Sequence, residues 1–327
     1  MKKFIYDSRW NGEHGIGRFS REVFEGLNNL EPIELEGHPA NPLDCFKLTA
    51  YLSKKKQFFF SPGYNSPLFF LNRTLITVHD LNHIDIDSNT SLLKKVYYNL
   101  VLKRACNKSY RVFTVSEFSK KRICEWSGVD PDRVIVVGNG VSNDFSTKGS
   151  AFESSKPYIF TVGNRKAHKN ELLAIKAFAK SDLFNSHNYY FSGVSSPELD
   201  EIIQDLNIKD KIFFSGRLSD QQLAEFYRGA DALLFPSLYE GFGLPVIEAM
   251  SCGLPVITSN STSLKEIAGD AAILVNPTKI DEIVNALNLV CRNEELRSEL
   301  IEKGLNQASK YSWSSTINMI ARELNSL

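Results

Sequence analysis

The chain has 327 residues, 43% of them hydrophobic, and its 38 Lys+Arg are balanced by 38 Asp+Glu. That length exceeds the size at which a single core usually keeps growing, so two domains are expected. The neutral balance lacks the basic footprint of a nucleic-acid binder, although residues 1–150 are mildly basic, with 21 cations against 16 anions. Five cysteines, Cys45, Cys106, Cys124, Cys252 and Cys291, show no CxxC spacing, which argues against a disulfide framework or a zinc site and fits a reducing cytosol. The early run Phe4-Ile5-Tyr6 is too short for the apolar core of a secretory leader, and no stretch approaches the ~20 apolar residues of a membrane span. A soluble cytoplasmic protein, at most peripheral to the membrane, is expected.

Short apolar runs alternate with helical patterns in both halves, the mark of doubly wound α/β structure with parallel sheets. Strands are predicted at Lys3–Tyr6, Phe58–Phe60, Leu75–Val78, Val112–Val115 and Val134–Val137. A second set falls at Tyr158–Val162, Tyr189–Ser192, Ile212–Ser215, Ala232–Phe235, Val256–Thr258 and Ala272–Val275. Between the sets, the serine-rich stretch Asn143–Pro157 reads as a linker. Trp313, Ile317, Ile320 and Leu324 have helical spacing, and composition alone docks that terminal helix on the second domain.

Candidate functional positions cluster after the strands. Asn11–Phe19 (NGEHGIGRF) is a glycine-rich strand-to-helix loop with Gly12, Gly15 and Gly17, but without the G-x-G-x-x-G spacing of a dinucleotide fingerprint; it reads as a flexible turn or a phosphate-covering loop. His79 ends an apolar strand, where open α/β sheets bind ligands; His14 and His83 are weaker candidates. Leu92, Leu93, Val96, Tyr97, Leu100 and Val101, among Lys94, Lys95, Lys103, Arg104 and Lys108, form either a core-facing helix with solvated lysines or a surface for an anionic membrane. Asp85-Ile86-Asp87 and Asp130-Pro131-Asp132 match D-x-D, too short a pattern to support a metal site. Ser116 and Glu117 read as a helix N-cap and a first-turn acid. Gly163 opens a loop with Arg165, Lys166 and Lys169, whose cations are either solvated or set against a diphosphate. Gly193 and Gly216 mark strand ends that read equally as plain turns or as neighbours of a nucleotide base.

The most informative stretch is Ala232–Pro277. Leu233–Phe235 is strand-like, Gly241 and Gly243 permit a sharp turn, Pro245 suits a first helical turn and Gly253 a stop, which predicts a helix of about two turns. Its N-terminus would present unpaired N–H groups and partial positive charge to an anionic, nucleotide-linked ligand, with Glu240 and Glu248 as hydrogen-bond acceptors for hydroxyls.

Glu240 and Glu248 enclosing GFGLPVI resemble the E-x7-E signature of the retaining family-4 glycosyltransferases of the GT-B fold. The similarity extends to YDSRWNGEHGIGRF (6–19), TVHDL (77–81), TVSEFS (114–119), GNGV (138–141) and FSGRL (214–218). It implies two Rossmann-like doubly wound domains facing across a cleft: an acceptor-side domain at 1–145, a nucleotide-sugar domain at 156–310, and a helix at 311–327 crossing back to the first. It further implies that Glu240 touches hydroxyls of the donor sugar and Glu248 the ribose, with the N–H groups of Phe242, Gly243 and Leu244 on the sugar and diphosphate. Gly15 and Gly17 would cover the diphosphate, with Gly163 and Gly216 beside the donor. His79 would lie next to the sugar, and Lys169, with Arg165 standing in where many members carry Arg at the position of Asn164, would meet the phosphates.

The resulting expectation is a retaining hexosyltransferase of bacterial surface polysaccharide assembly. Its donor would be a nucleotide diphosphate sugar, GDP-mannose first. Its acceptor would be a saccharide or an undecaprenyl-linked saccharide, with neither cofactor nor metal, and with contact at the inner face of the membrane a secondary expectation. A nucleotide-sugar epimerase or phosphorylase on the same fold, or a non-catalytic subunit needing a partner, are the alternatives. A dehydrogenase is disfavoured by the missing fingerprint.

Overall fold

The computed structural model describes residues 2–12, 15–86 and 92–327. The chain divides into two compact units, Met1–Gly140 with Ser312–Leu327, and Val141–Tyr311. Each is built on a six-stranded, wholly parallel sheet.

In the first unit the strands are β1 Phe4–Tyr6, β2 Leu30–Pro32, β3 Phe58–Ser61, β4 Thr74–Thr77, β5 Arg111–Thr114 and β6 Val134–Val136, in the order β2-β1-β3-β4-β5-β6. Parallel strands are covered on both faces and so read as continuous apolar runs, which is why five of the six were visible in sequence. β2 was not. It is a three-residue edge strand, pairing Phe4 with Leu30, and it carries Glu31 and Pro32, residues that only an edge tolerates. One face of the sheet packs on the helices Gly15–Gly26 and Trp313–Asn325 through Phe19, Val23, Trp313 and Ile320. At Gly26 the two helices come so close that a side chain there would overlap Ile317. The terminal helix therefore belongs to the first unit, against the composition-only reading, because its apolar stripe Trp313, Ile317, Ile320 and Leu324 completes that unit's core.

In the second unit the strands are β7 Tyr158–Thr161, β8 Asn188–Phe191, β9 Ile212–Phe214, β10 Ala232–Phe235, β11 Val256–Ser259 and β12 Ile273–Val275, in the order β12-β11-β10-β7-β8-β9. The stretch 143–157 is not a free linker. Phe145 is buried, the peptide N–H of Phe152 donates to Glu225 O at 2.9 Å, the Phe152 ring stacks on Phe226 at 4.0 Å, and Arg228 donates to Ser146 O and Ser150 O at 3.2 and 2.7 Å. Its polar composition concealed two aromatic anchors and a backbone held by the helix Asp220–Gly229, so the division falls at Gly140 instead.

Among the described residues no helix is long and apolar enough to cross a membrane.

Candidate active site

A doubly wound sheet opens a crevice where strand order reverses, because the connections on either side leave towards opposite faces. In the second unit that switch point lies between β7 and β10. The chain leaving β10 makes the predicted turn: Gly243 takes φ +102°, Pro245 sits in the first helical turn, and the helix runs Leu244–Ser251, with Gly253 at φ +74° beyond it. Two serines, Ser259 at the end of β11 and Ser263 just beyond it, hold this turn by its carbonyls. Ser259 Oγ donates to Ser237 O at 2.6 Å, and Ser263 Oγ donates to Glu240 O and Phe242 O at 2.9 and 3.1 Å. A Cβ at residue 243 would stand 2.5 Å from Leu264 Cδ2 in a backbone region that L side chains rarely adopt. Gly243→Ala is therefore expected to lower stability by about 1–3 kcal/mol; an unchanged urea midpoint would contradict the strain.

The chain leaving β7 supplies the facing wall. A short 3₁₀ turn, Ala167–Lys169, is followed by Asn170 in the left-handed region at φ +58°. Asn170 Nδ2 bridges Pro236 O at 3.1 Å and Pro277 O at 2.7 Å, and Leu238 N donates to His168 O at 2.7 Å, so the loops after β7, β10 and β12 are tied together. In this setting Lys169 Nζ donates to Glu240 Oε1 at 2.6 Å, and its ammonium lies 5.1 Å from the centre of the Phe235 ring. Each partner's side chain is 14% exposed. A cation and a carboxylate, largely desolvated yet reachable, thus meet in the loop that leads into the helix Leu244–Ser251.

Glu248, on that helix, is buried, and its Oε2 accepts from the hydroxyl of buried Tyr227 at 3.0 Å. Arg165, at φ +62°, turns elsewhere. Its guanidinium bonds Glu171 and Ser192 O, donates to Val194 O at 2.6 Å, and lies over the rings of Phe191 and Phe214. Gly163 makes room for that pair, since a side chain there would overlap the Glu171 carboxylate. Burial pushes the Glu171 carboxyl above its ordinary value, opposed by the charges of Arg165 and Lys169. Gly193 and Gly216, both at positive φ, form an antiparallel bridge with N–O distances of 2.8 and 3.1 Å. Sequence reasoning missed Asn170, Tyr227, Ser259 and Ser263; a polar Ser-Asn-Ser-Thr-Ser run directly after a strand was the available signal for the last two.

The remaining candidates lie in the first unit. His79 follows β4 and is half-buried, with its ring edge-on to Phe19 at 4.9 Å. Its Nε2 is 2.9 Å from Pro62 O; a carbonyl only accepts, so Nε2 carries the hydrogen. Gly15 and Gly17 begin the helix Gly15–Gly26, and Gly17 packs against the backbone of Gly12. His83 stands edge-on to Tyr98 at 5.8 Å. Asp85 is paired with Arg122 through both carboxylate oxygens, Asp130 caps its own turn by accepting from Asp132 N at 3.0 Å, and Asp87 and His14 lie outside the described residues. Among the described residues no cluster of three or more His, Cys, Asp or Glu side chains is arranged for a metal ion. Ser116 caps the helix Glu117–Ser127, as its position predicts.

Comparison with known proteins bears on the family and the fold. The family described as "Glycosyl transferases group 1" matches residues 142–307, and "Glycosyltransferase Family 4" matches residues 58–145. The O-antigen chain mannosyltransferase RfbU of Salmonella typhimurium strain LT2 is 30% identical over 260 residues, spanning 78% of this chain and 70% of that protein. The O-antigen chain mannosyltransferase B of Escherichia coli is 27% identical over 268 residues, spanning 76% and 70%. Among solved structures, the sucrose-phosphate synthase of Thermosynechococcus elongatus superposes with a TM-score of 0.81 at 16% identity, covering 100% of this chain and 99% of its own. WaaG, a glycosyltransferase of lipopolysaccharide biosynthesis, gives 0.78 at 15%, covering 98% of each. Two parallel six-stranded α/β sheets of this kind are the GT-B fold, and with about half of its length matched by the family, this chain belongs to the glycosyl transferases group 1 and is a glycosyltransferase.

Proposed function

We propose that the chain is a retaining mannosyltransferase of surface polysaccharide assembly, taking mannose from GDP-mannose and placing it on a saccharide or lipid-linked saccharide acceptor. The observation that carries this reading is the Lys169–Glu240 pair at the switch point of the second sheet. A nucleotide diphosphate sugar presents a polyanion beside neutral hydroxyls, and the pair offers one group for each, in a loop leading into a helix whose N-terminus also favours phosphate. The mannosyl donor is supported by the two relatives that are O-antigen chain mannosyltransferases.

In the proposed reaction the bond from the sugar C1 to the phosphate oxygen breaks, and the acceptor oxygen bonds C1 on the same face. The acceptor's proton passes to the departing phosphate. Glu240 is held by an ammonium and suits orientation of the sugar better than nucleophilic attack, which is consistent with this front-face route. Lys169 meets the growing negative charge, work done by electrostatics and positioning without a metal ion. Arg165 contributes its charge from the base of the same loop, Glu248 takes the ribose, and the Phe242, Gly243 and Leu244 N–H groups take the sugar and diphosphate. Gly163 leaves room for the Glu171 carboxylate that holds Arg165, and Gly216 lies beside the donor. The enzyme works in the cytoplasm, against the inner face of the membrane.

Calorimetric titration with GDP-mannose, UDP-glucose, UDP-N-acetylglucosamine and dTDP-rhamnose, repeated in excess EDTA, tests the reading. Micromolar binding of GDP-mannose that survives EDTA is the expected result. Preference for another donor, or binding only with Mg²⁺ or Mn²⁺, would overturn the donor or the metal-independent chemistry respectively.

A further inference from the structure

The helical stretch over residues 92–108 is apolar on two sides. It consists of the α-helical turn Leu92–Val96, a six-residue π segment Tyr97–Leu102 and the α-helical Lys103–Lys108. The wide π turn points consecutive Tyr97 and Tyr98 inwards, and with Leu102, Ala105 and Cys106 they fill the core beside β4 and β5. That already satisfies the helix's need to bury one face. The opposite side nevertheless carries Leu92, Leu93, Val96 and Leu100, with Leu92 80% and Leu100 67% exposed.

The surface continues beyond this helix. Leu68 N donates to Thr49 Oγ1 at 2.8 Å on the helix Asp44–Ser53, while Leu68 O accepts from Arg104 Nη1 at 2.5 Å. This residue fastens the two helices to one another and sets Phe69, 62% exposed, beside them; Phe46, one turn before Thr49, is 59% exposed. With Leu43, these are all the large apolar side chains that the first unit exposes among its described residues. Scattered singly they would need no explanation, but confined to three joined segments they mark a surface that binds something.

Charge says what. Residues 92–108 hold five cations, Lys94, Lys95, Lys103, Arg104 and Lys108, and no carboxylate. An apolar strip bordered by cations matches an anionic phospholipid surface, where the apolar side chains enter the acyl boundary and the cations meet headgroup phosphates. We propose that the exposed side of the 92–108 helix, together with Phe46 and Phe69, is the surface by which this enzyme rests on an anionic bilayer. This deepens the proposed function by naming the membrane contact, and rests on that reading for its purpose.

Flotation of the full chain with phosphatidylglycerol–phosphatidylcholine vesicles, and with phosphatidylcholine alone, tests it without any sugar donor. Co-flotation is expected on the anionic vesicles only, released by high salt. Leu92→Asp with Leu100→Asp should reduce the bound fraction at least about tenfold, and Lys103→Glu should weaken it, since these side chains are solvent-facing and their loss leaves the core untouched. GDP-mannose titrations of the same variants should match the parent, which keeps failure of the docking surface separate from failure of the donor assignment. Equal binding to neutral vesicles, retention of binding by the double variant, or a dimer in sedimentation that Leu100→Asp splits would each overturn the proposal.

Discussion

Lys169→Ala should lower transfer roughly a hundredfold, about 3 kcal/mol of barrier, while the circular dichroism spectrum stays that of the parent. In the proposed reaction the departing diphosphate gains charge beside Lys169, whose side chain is 14% exposed, so its attraction is less screened than in water. The substitution also leaves Glu240 without its partner at 2.6 Å, turning a neutral pair into a lone carboxylate beside an anionic donor. Glu240→Ala should cost well over tenfold by the complementary route, since Lys169 remains but the sugar loses an acceptor for its hydroxyls. Initial rates with saturating donor measure both effects, and either variant within twofold of the parent would remove these roles.

Arg9→Ala should destabilise the first unit by about 3–5 kcal/mol, the largest stability effect expected in the chain. Arg9 donates to both oxygens of Asp7, at 2.8 and 2.7 Å, and to both oxygens of Asp44, at 2.8 and 2.8 Å. Asp7 is fully buried and Asp44 nearly so. Asn65 Nδ2 also donates to Asp7 at 2.7 Å, and its Oδ1 accepts from Trp10 Nε1 at 2.7 Å. This network stands where β1 meets β3, the switch point of the first sheet, and it fastens the strand ends there. Without the guanidinium, two carboxylates face one another out of water. Adding Asp44→Asn to Arg9→Ala should recover part of the loss by removing one unpaired charge. Urea unfolding measures both; a single-variant loss under about 1 kcal/mol would show that water reaches the carboxylates.

Eleven of the twelve strands were legible because a parallel sheet covered on both faces demands unbroken apolar runs, and β2 was hidden because an edge makes no such demand. The turn after β10 and the Ser116 cap were equally legible, since both follow from sterics and hydrogen bonding over a few residues. The stretch 143–157 was misread because its polar residues outnumber Phe145 and Phe152, the two side chains that anchor it.

By itself, then, the sequence determined two doubly wound domains and the glycine turn with its helix of two turns. Those are local properties, set by periodicity and by backbone sterics. Only the tertiary structure decided that Lys169 answers Glu240 across 71 positions, that Arg165 is tied down by Glu171, and that a π turn gives residues 92–108 a second apolar side. Pairings of that range depend on which strands become neighbours, and it is the reversal of strand order that brings the ends of β7 and β10 side by side.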